Sequence, residues 1–282
     1  MKSRFFLFPL ALLLTACTAQ SAEAGLGAGF RFSTYGPPTN PGPDYWAAVG
    51  EAMAARFPGS TPQAIWIVGN FTGPGVFLNF PVETDDPHIT FTYADMNEAA
   101  LDLFDQRGIQ VWLQVEPGSA DMVELIDLVL GRYSHHPCVI GFGVDVEWYK
   151  SDGSAQGTPV TDEEARHWVR AVRAHNRNYR LFLKHWDINW MPPTYRDGLV
   201  FVDDSQQFES LEEMSAEFAV WGETFAPAPV AFQYGYPADR PWWSQLADPP
   251  GDIGRAILAE VPNTSALFWV DFTALDVFPP NP

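Results

Sequence analysis

From residue 28 onward, short runs rich in β-branched and aromatic residues alternate with segments of helical period, and no other feature constrains the fold as strongly. Strands are predicted near Gly29–Tyr35, Ala64–Asn70, Ile109–Glu116, Val139–Glu147, Arg180–Asp187, Leu199–Gln206, Val230–Tyr234 and Ala266–Asp271. Helices are clearest at Asp44–Arg56, Tyr93–Gln106, Met122–Tyr133, Thr161–Asn176, Leu211–Phe225 and Asp252–Val261. The second carries Asp95 and Glu98 early and stops before Gly108. The fourth opens Thr161-x-x-Glu164, a capping box that satisfies orphan backbone donors from both sides. Eight strands separated by helices over about 250 residues fit an α/β (β/α)8 TIM barrel better than an open doubly wound sheet. An open sheet of that kind usually carries a Gly-rich phosphate turn after its first strand, and none is present. No internal repeat and no linker divides residues 28–282, which read as a single barrel domain.

The barrel reading assigns a face to every strand residue, because alternate side chains point to the interior and to the helices. In the fourth strand Ile140, Phe142, Val144 and Val146 form the bulky, helix-facing set, which leaves Gly141, Gly143, Asp145 and Glu147 inside. In the third, Ile109, Val111, Leu113 and Val115 face the helices, and Gln110, Trp112, Gln114 and Glu116 face inward. Trp269 and Asp271 share one face of the eighth. Glu116, Asp145, Glu147 and Asp271 are therefore expected to converge at the carboxyl ends of the strands, where barrel enzymes place their chemistry.

Composition narrows the partners. With 16 Lys+Arg against 35 Asp+Glu, the formal charge of -19 excludes a nucleic-acid partner, which needs a basic surface. Eleven Trp, nine Tyr and 21 Phe suggest an aromatic-lined ligand site. Lys2 and Arg4 precede an apolar run, Phe5–Leu14, too short to span a bilayer as a mature helix. Residues 1–16 read as a signal peptide. Leu14-Thr15-Ala16-Cys17 resembles the bacterial lipobox, which implies cleavage before Cys17, a lipid on that cysteine and anchoring in the cell envelope. Small polar residues up to position 27 read as a tether. Cys138 is the one other cysteine, so the domain has no partner for an intramolecular disulfide, and a buried inert thiol is expected. No zinc spacing is evident: His135 and His136 are adjacent and so expected to diverge, the other histidines are scattered, and neither a metal nor a cofactor is implied.

Asp145 and Glu147, two apart on one strand, sit about 6–7 Å apart at the backbone. Carboxyls that close raise one pKa and leave the other group ionised, which supplies the acid and the carboxylate that glycosidic cleavage needs. Two other readings of the pair are an ion pair with Lys184 on the next strand and a metal cluster of Glu116, Asp145, Glu147 and Asp271. Among so many carboxylates Lys184 is expected to be salt-bridged rather than a Schiff-base lysine. Asp203 and Asp204 end the sixth strand, and alternation leaves open which faces inward. Trp186 after the fifth strand and Trp269 are candidates for stacking on the apolar faces of sugar rings; Trp46, Trp168 and Trp221 sit at helical positions as core. Gln233 and Tyr236 suit hydrogen bonds to sugar hydroxyls.

Gly141-Phe-Gly-Val-Asp-Val-Glu147-Trp-Tyr149 resembles the fourth-strand signature of family 18 glycoside hydrolases, chitinases and endo-N-acetylglucosaminidases, and is similar to the Asp-x-Glu strand of family 25 lysozymes. That resemblance implies a carbohydrate substrate containing N-acetylhexosamine, Glu147 as general acid, Asp145 holding an acetamido group that attacks the anomeric carbon, and Trp269 beneath the scissile sugar. The family's further Asp is Gly143 here, and its sixth-strand Tyr-Asp pair has no evident counterpart in 202–207. The rival expectation is a barrel that binds sugar without turnover.

Overall fold

The computed structural model describes residues 25–154 and 156–280. The predicted signal segment and Cys17 lie outside them. Ten strands form one sheet: β1 (Gly27–Phe32), β2 (Thr61–Thr72), β3 (Gly75–Leu78), β4 (Ile89–Phe91), β5 (Gln110–Val115), β6 (Val139–Asp145), β7 (Arg180–Lys184), β8 (Leu199–Asp203), β9 (Val230–Tyr234) and β10 (Thr264–Val270). Eight of them, β1, β2 and β5 to β10, pair in parallel and close through β1–β10 and β1–β2 into a (β/α)8 barrel. The β1 strand starts at Gly27 and the carbonyl of Leu26 accepts from the Thr61 amide, so the ordered barrel begins slightly before the end of the expected tether.

Helices α1 (Pro43–Ala54), α2 (Glu98–Arg107), α3 (Met122–Tyr133), α4 (Asp162–His175), α5 (Leu211–Phe225), α6 (Arg240–Trp243), α7 (Pro249–Glu260) and α8 (Ala274–Val277) complete the order. The β7–β8 connection carries only a 3-10 turn, Ile188–Trp190. The predicted capping box is formed: Thr161 accepts from the Glu164 amide, and Glu164 accepts from the Thr161 amide. Asp121 caps α3 through the amides of Val123 and Glu124. The second helix starts at Glu98 rather than Tyr93, because Asp95 turns back to accept from the amides of Asn97 and Glu98 and ends the preceding loop. Gly108 closes that helix in the left-handed region, φ 67°.

Two nested cores result. An outer one lies between strands and helices and takes Phe142, Val144, Leu113, Trp46, Trp168 and Trp221. An inner one fills the barrel with Ile65, Trp112, Phe182, Val200, Val202 and Phe268 among others. Ile140, expected among the helix-facing residues, packs instead on this inner cluster. The register between β5 and β6 slips there, Val111 pairing with Val139 but Trp112 with Gly141, and the extra residue turns Ile140 round. The β2–β3–β4 extension was not anticipated. It folds back at Gly73, φ 70°, where an antiparallel pairing of β2 with β3 needs a tight turn.

Candidate active site

The strands stop where the charges begin. β6 ends at Asp145, β7 at Lys184 and β8 at Asp203, so Asp145, Lys184 and Asp204 meet at the carboxyl end of the barrel. The Lys184 ammonium donates to Asp145 Oδ2 at 2.8 Å and to Asp204 Oδ2, with all three side chains at least nine-tenths buried. Burial disfavours a charged lysine, but Asp145 and Asp204 more than offset it and hold Lys184 well above its usual pKa. The lysine is thus an ammonium clamp rather than an amine nucleophile. Asp145 is raised: desolvation outweighs the attraction of Lys184, and Asp204, Glu116 and Glu147 add to it. Chain geometry now separates the two acids of the sixth strand. Val202 faces the barrel interior, so Asp203 turns outward and accepts from the Ser205 amide at 2.8 Å, while Asp204 turns in.

Glu147 lies just past β6, in the 3-10 turn Val146–Trp148, not in the strand. It is half-buried and lines a cavity of about 420 Å³ together with Trp186, Asp204, Gln206, Gln207 and Glu217. Desolvation, and then the fields of Asp204 and Glu116, raise its pKa despite Lys184. Gln207 holds φ 74°, a left-handed backbone that a non-glycine residue adopts at a cost of about 1–3 kcal/mol and that clusters at functional sites. Trp186, 37% exposed, stacks on the buried His185 at 4.2 Å and presents its other face outward.

The remaining mouth residues come from the other strands. Glu116 Oε2 accepts from the Tyr35 hydroxyl at 2.5 Å and from the Phe71 amide at 2.8 Å, and Phe71 stacks on Trp148 at 4.4 Å. Asp271 has left β10 and is fully buried, accepting from Arg31 Nη1 at 2.5 Å and from the Ser33 amide at 2.5 Å and hydroxyl at 2.8 Å. Tyr236 donates to Gln233 Oε1 at 3.1 Å. Several buried atoms around this end have no hydrogen-bond partner among the described residues: both amide atoms of Gln114, Nε2 of Gln233, and Oδ1 of Asp145 and of Asp204. An unpaired buried polar group costs about 1–3 kcal/mol, so these atoms mark where the fold presents polar groups to something other than itself.

One sequence expectation fails here. Trp269 does not line the mouth. Phe268 takes the inward position on β10, so Trp269 points into the outer core at zero exposure, edge-on to Tyr234 at 5.6 Å and Trp243 at 5.3 Å. The close approach of its indole requires Gly235, where a Cβ would fall 2.4 Å from the ring. The four-carboxylate metal cluster is not assembled either, since Asp271 is spent on Arg31, Glu116 on Tyr35 and Asp145 on Lys184. Among the described residues the groups whose donor atoms come within 4.8 Å of one another are Glu98, His135 and His136, and Asp105, His136 and Cys138.

The chain shares its barrel fold with glycoside hydrolases. A Bacteroides thetaiotaomicron structure described as a "putative alpha-L-fucosidase" superposes with TM-score 0.55 at 11% identity, over 95% of this chain and 91% of that one. An endocellulase from Pyrococcus horikoshii gives TM-score 0.47 at 13% identity, over 87% and 84% of the two chains. A β-D-glucuronidase of Dictyoglomus thermophilum gives 0.44 at 12% identity, and the chain spans 37% of its length. No protein-family model matches the sequence, and no curated protein does. The likeness extends to the barrel and not to the finer chitinase signature. A side chain at position 143 has no room, because a Cβ on Gly143 would lie 2.0 Å from Cζ of Phe182.

Arg31, Ser33, Tyr35 and Phe71 went unnoticed in the sequence. The signal was present for three of them: Gly29, Arg31, Ser33 and Tyr35 alternate along the predicted first strand. A buried arginine on a barrel face calls for a carboxylate, and Asp271 supplies it.

Proposed function

We propose that the chain is a glycoside hydrolase acting on a carbohydrate at the carboxyl end of its barrel, with Glu147 as the proton donor. The observation that carries this reading is the pairing, in one cavity, of a half-buried carboxyl of raised pKa with the exposed face of Trp186. A carboxyl that keeps its proton closer to neutrality can give it to a glycosidic oxygen as the C–O bond breaks. Asp204 opens on the same cavity and is held by Lys184, in place to face the positive charge that develops at the anomeric carbon; water then adds there and returns a proton to the carboxylate of Glu147. Asp145, held on Lys184, acts through that lysine as a positioning residue. Gln114, Gln233 and Tyr236 offer hydrogen bonds to hydroxyls, and Trp186 offers a stacking face. The acetamido-assisted reaction on an N-acetylhexosamine stays one arm of the substrate range to be tested. In this reading the lipobox-like segment at Cys17 holds the enzyme at the cell envelope.

The test is release of reducing sugar from fucosides, glucuronides, cello-oligosaccharides, chitin oligomers and peptidoglycan by the native protein and by Glu147→Gln. The variant keeps size and loses the proton, so its rate is expected to fall about 10²-fold or more. The native pH–rate profile should decline on its alkaline side as Glu147 ionises. Glycan binding without turnover by either protein would overturn the hydrolase reading and leave a sugar receptor.

A further inference from the structure

On the outer flank of the barrel, α2 and the turn joining α3 to β6 bring together the two histidines that adjacency was expected to separate. His135 and His136 lie in a turn, not in a helix or strand, so their rings are free to rotate toward one another, with centroids 4.1 Å apart. His135 Nε2 is 3.1 Å and His136 Nε2 is 3.4 Å from the same oxygen, Oε1 of Glu98. The opposite nitrogens are committed. His135 Nδ1 is 2.9 Å from the Arg132 carbonyl, and His136 Nδ1 is 2.7 Å from Asp105 Oδ2. Both partners are acceptors only, so each Nδ1 carries the proton; in the neutral ring that leaves the lone pair of Nε2 toward Glu98, where Nε2 of His135 stands at hydrogen-bond distance. The carboxylate is an acceptor too. Three lone-pair donors therefore face one point, and His136, only 2% exposed, has its Nε2 buried there without a hydrogen-bond partner.

We infer that this point is a binding site for a first-row divalent cation of the zinc type, ligated by His135 Nε2, His136 Nε2 and Glu98. Ligand atoms at about 2.0–2.1 Å from a tetrahedral zinc are separated from each other by roughly 3.3 Å, and the two nitrogen–oxygen distances bracket that value. The bonds from each Nδ1 to a carbonyl or a carboxylate are the outer support that metal-ligating histidines use to fix ring orientation. Asp105 is itself tied down, since its Oδ1 accepts from the Cys138 amide at 2.7 Å. Cys138 is not a ligand: its thiol points to the Leu101 carbonyl at 3.7 Å, and burial, with Asp105 nearby, pushes its pKa up. The second oxygen of Glu98 lies 4.0 Å from Arg132, whose guanidinium is occupied by Asp95 at 3.0 Å. With His135 58% exposed, the site keeps a position open to solvent, and three protein ligands with one such position suit an exchangeable cation that clamps α2 to the start of β6.

The experiment is calorimetric titration of the chelator-treated protein with zinc chloride alone, beside Glu98→Gln, His135→Ala and Asp105→Asn, each checked for native circular dichroism. One equivalent of saturable binding is expected, weakened at least tenfold by Glu98→Gln and by His135→Ala. Asp105→Asn should weaken it about 10–100-fold while leaving the ligands in place. At a hundredfold excess over the native Kd, zinc should raise the Tm of the native protein by about 5 °C or more and that of His135→Ala by about half as much or less. Absence of a saturable equivalent, or binding that survives both ligand substitutions, overturns the site. Because Glu98 and His135 take no part in the barrel mouth, either result is independent of glycan hydrolysis.

Discussion

The two ends of the barrel are built from the same inward-facing strand positions and treat polar atoms in opposite ways. At the amino end, Gln63 donates to Gln110 Oε1 at 2.9 Å and accepts from the Trp112 indole at 3.3 Å, over a plug of Trp112, Phe182, Val200 and Phe268. At the carboxyl end, the amides of Gln114 and Gln233 leave atoms unpaired and three carboxyl groups, Asp145, Asp204 and Asp271, pair with the cations Lys184 and Arg31. The first end satisfies itself, as a structural plug must. The second holds groups in costly surroundings and leaves them open to water or to a ligand.

Substitutions at the two ends test that contrast. Phe182→Ala should remove about 3–5 kcal/mol of stability by opening a cavity in the plug. Lys184→Met should cost a similar amount, about 3–5 kcal/mol, because Asp145 and Asp204 are left facing each other without their cation. The two defects differ in their pH response. Acidification lets Asp145, whose pKa burial raises, take up a proton and should shrink the Lys184→Met loss, while the Phe182→Ala loss stays constant in urea unfolding. A smaller effect comes from His185, buried between Trp186 and Trp190 and lowered to about 4 by desolvation. Its folded pKa lies below the unfolded value, so its contribution is fully present above about pH 6.5 and fades as pH falls toward 4, by up to about 3 kcal/mol. His185→Phe should flatten that acid limb; an unchanged limb would place the titration elsewhere. The smallest pair is the sharpest. Gln63→Leu should destabilise by about 1–3 kcal/mol by orphaning Gln110 and Trp112, whereas Gln114→Met should be neutral or stabilising by about 1 kcal/mol at the expense of glycan affinity. Equal losses from both would erase the distinction between plug and mouth.

The eight strands and the inward face of β5 were legible because a two-residue period sets buried apolar residues against polar ones, and Glu116 and Gln114 follow from it directly. Trp269 was misread since Phe268 and Trp269 are both large and aromatic, and period alone does not choose between two such neighbours. Ile140 depended on a register slip, which is a property of the β5–β6 pair and not of either strand. Whether Asp203 or Asp204 joins Lys184 was open in the sequence for the same reason, being fixed by the inward turn of Val202. The histidine pair was missed because divergence holds for neighbours within regular elements, and these two occupy a turn. The hairpin of β2 and β3 was readable from Thr72-Gly73-Pro74-Gly75, a strong turn signal between two apolar runs.

Closure of the ring carries a consequence for the behaviour of many copies held together. Every barrel strand has a neighbour on both sides, and among the described residues the one strand with a free flank is β4, three residues long. A growing fibril needs a long, flat row of exposed amides and carbonyls on which the next molecule can template itself, and three residues offer too little of one. Crowded on a two-dimensional surface, where local concentration is high, such a molecule resists strand-by-strand polymerisation for as long as the ring stays shut.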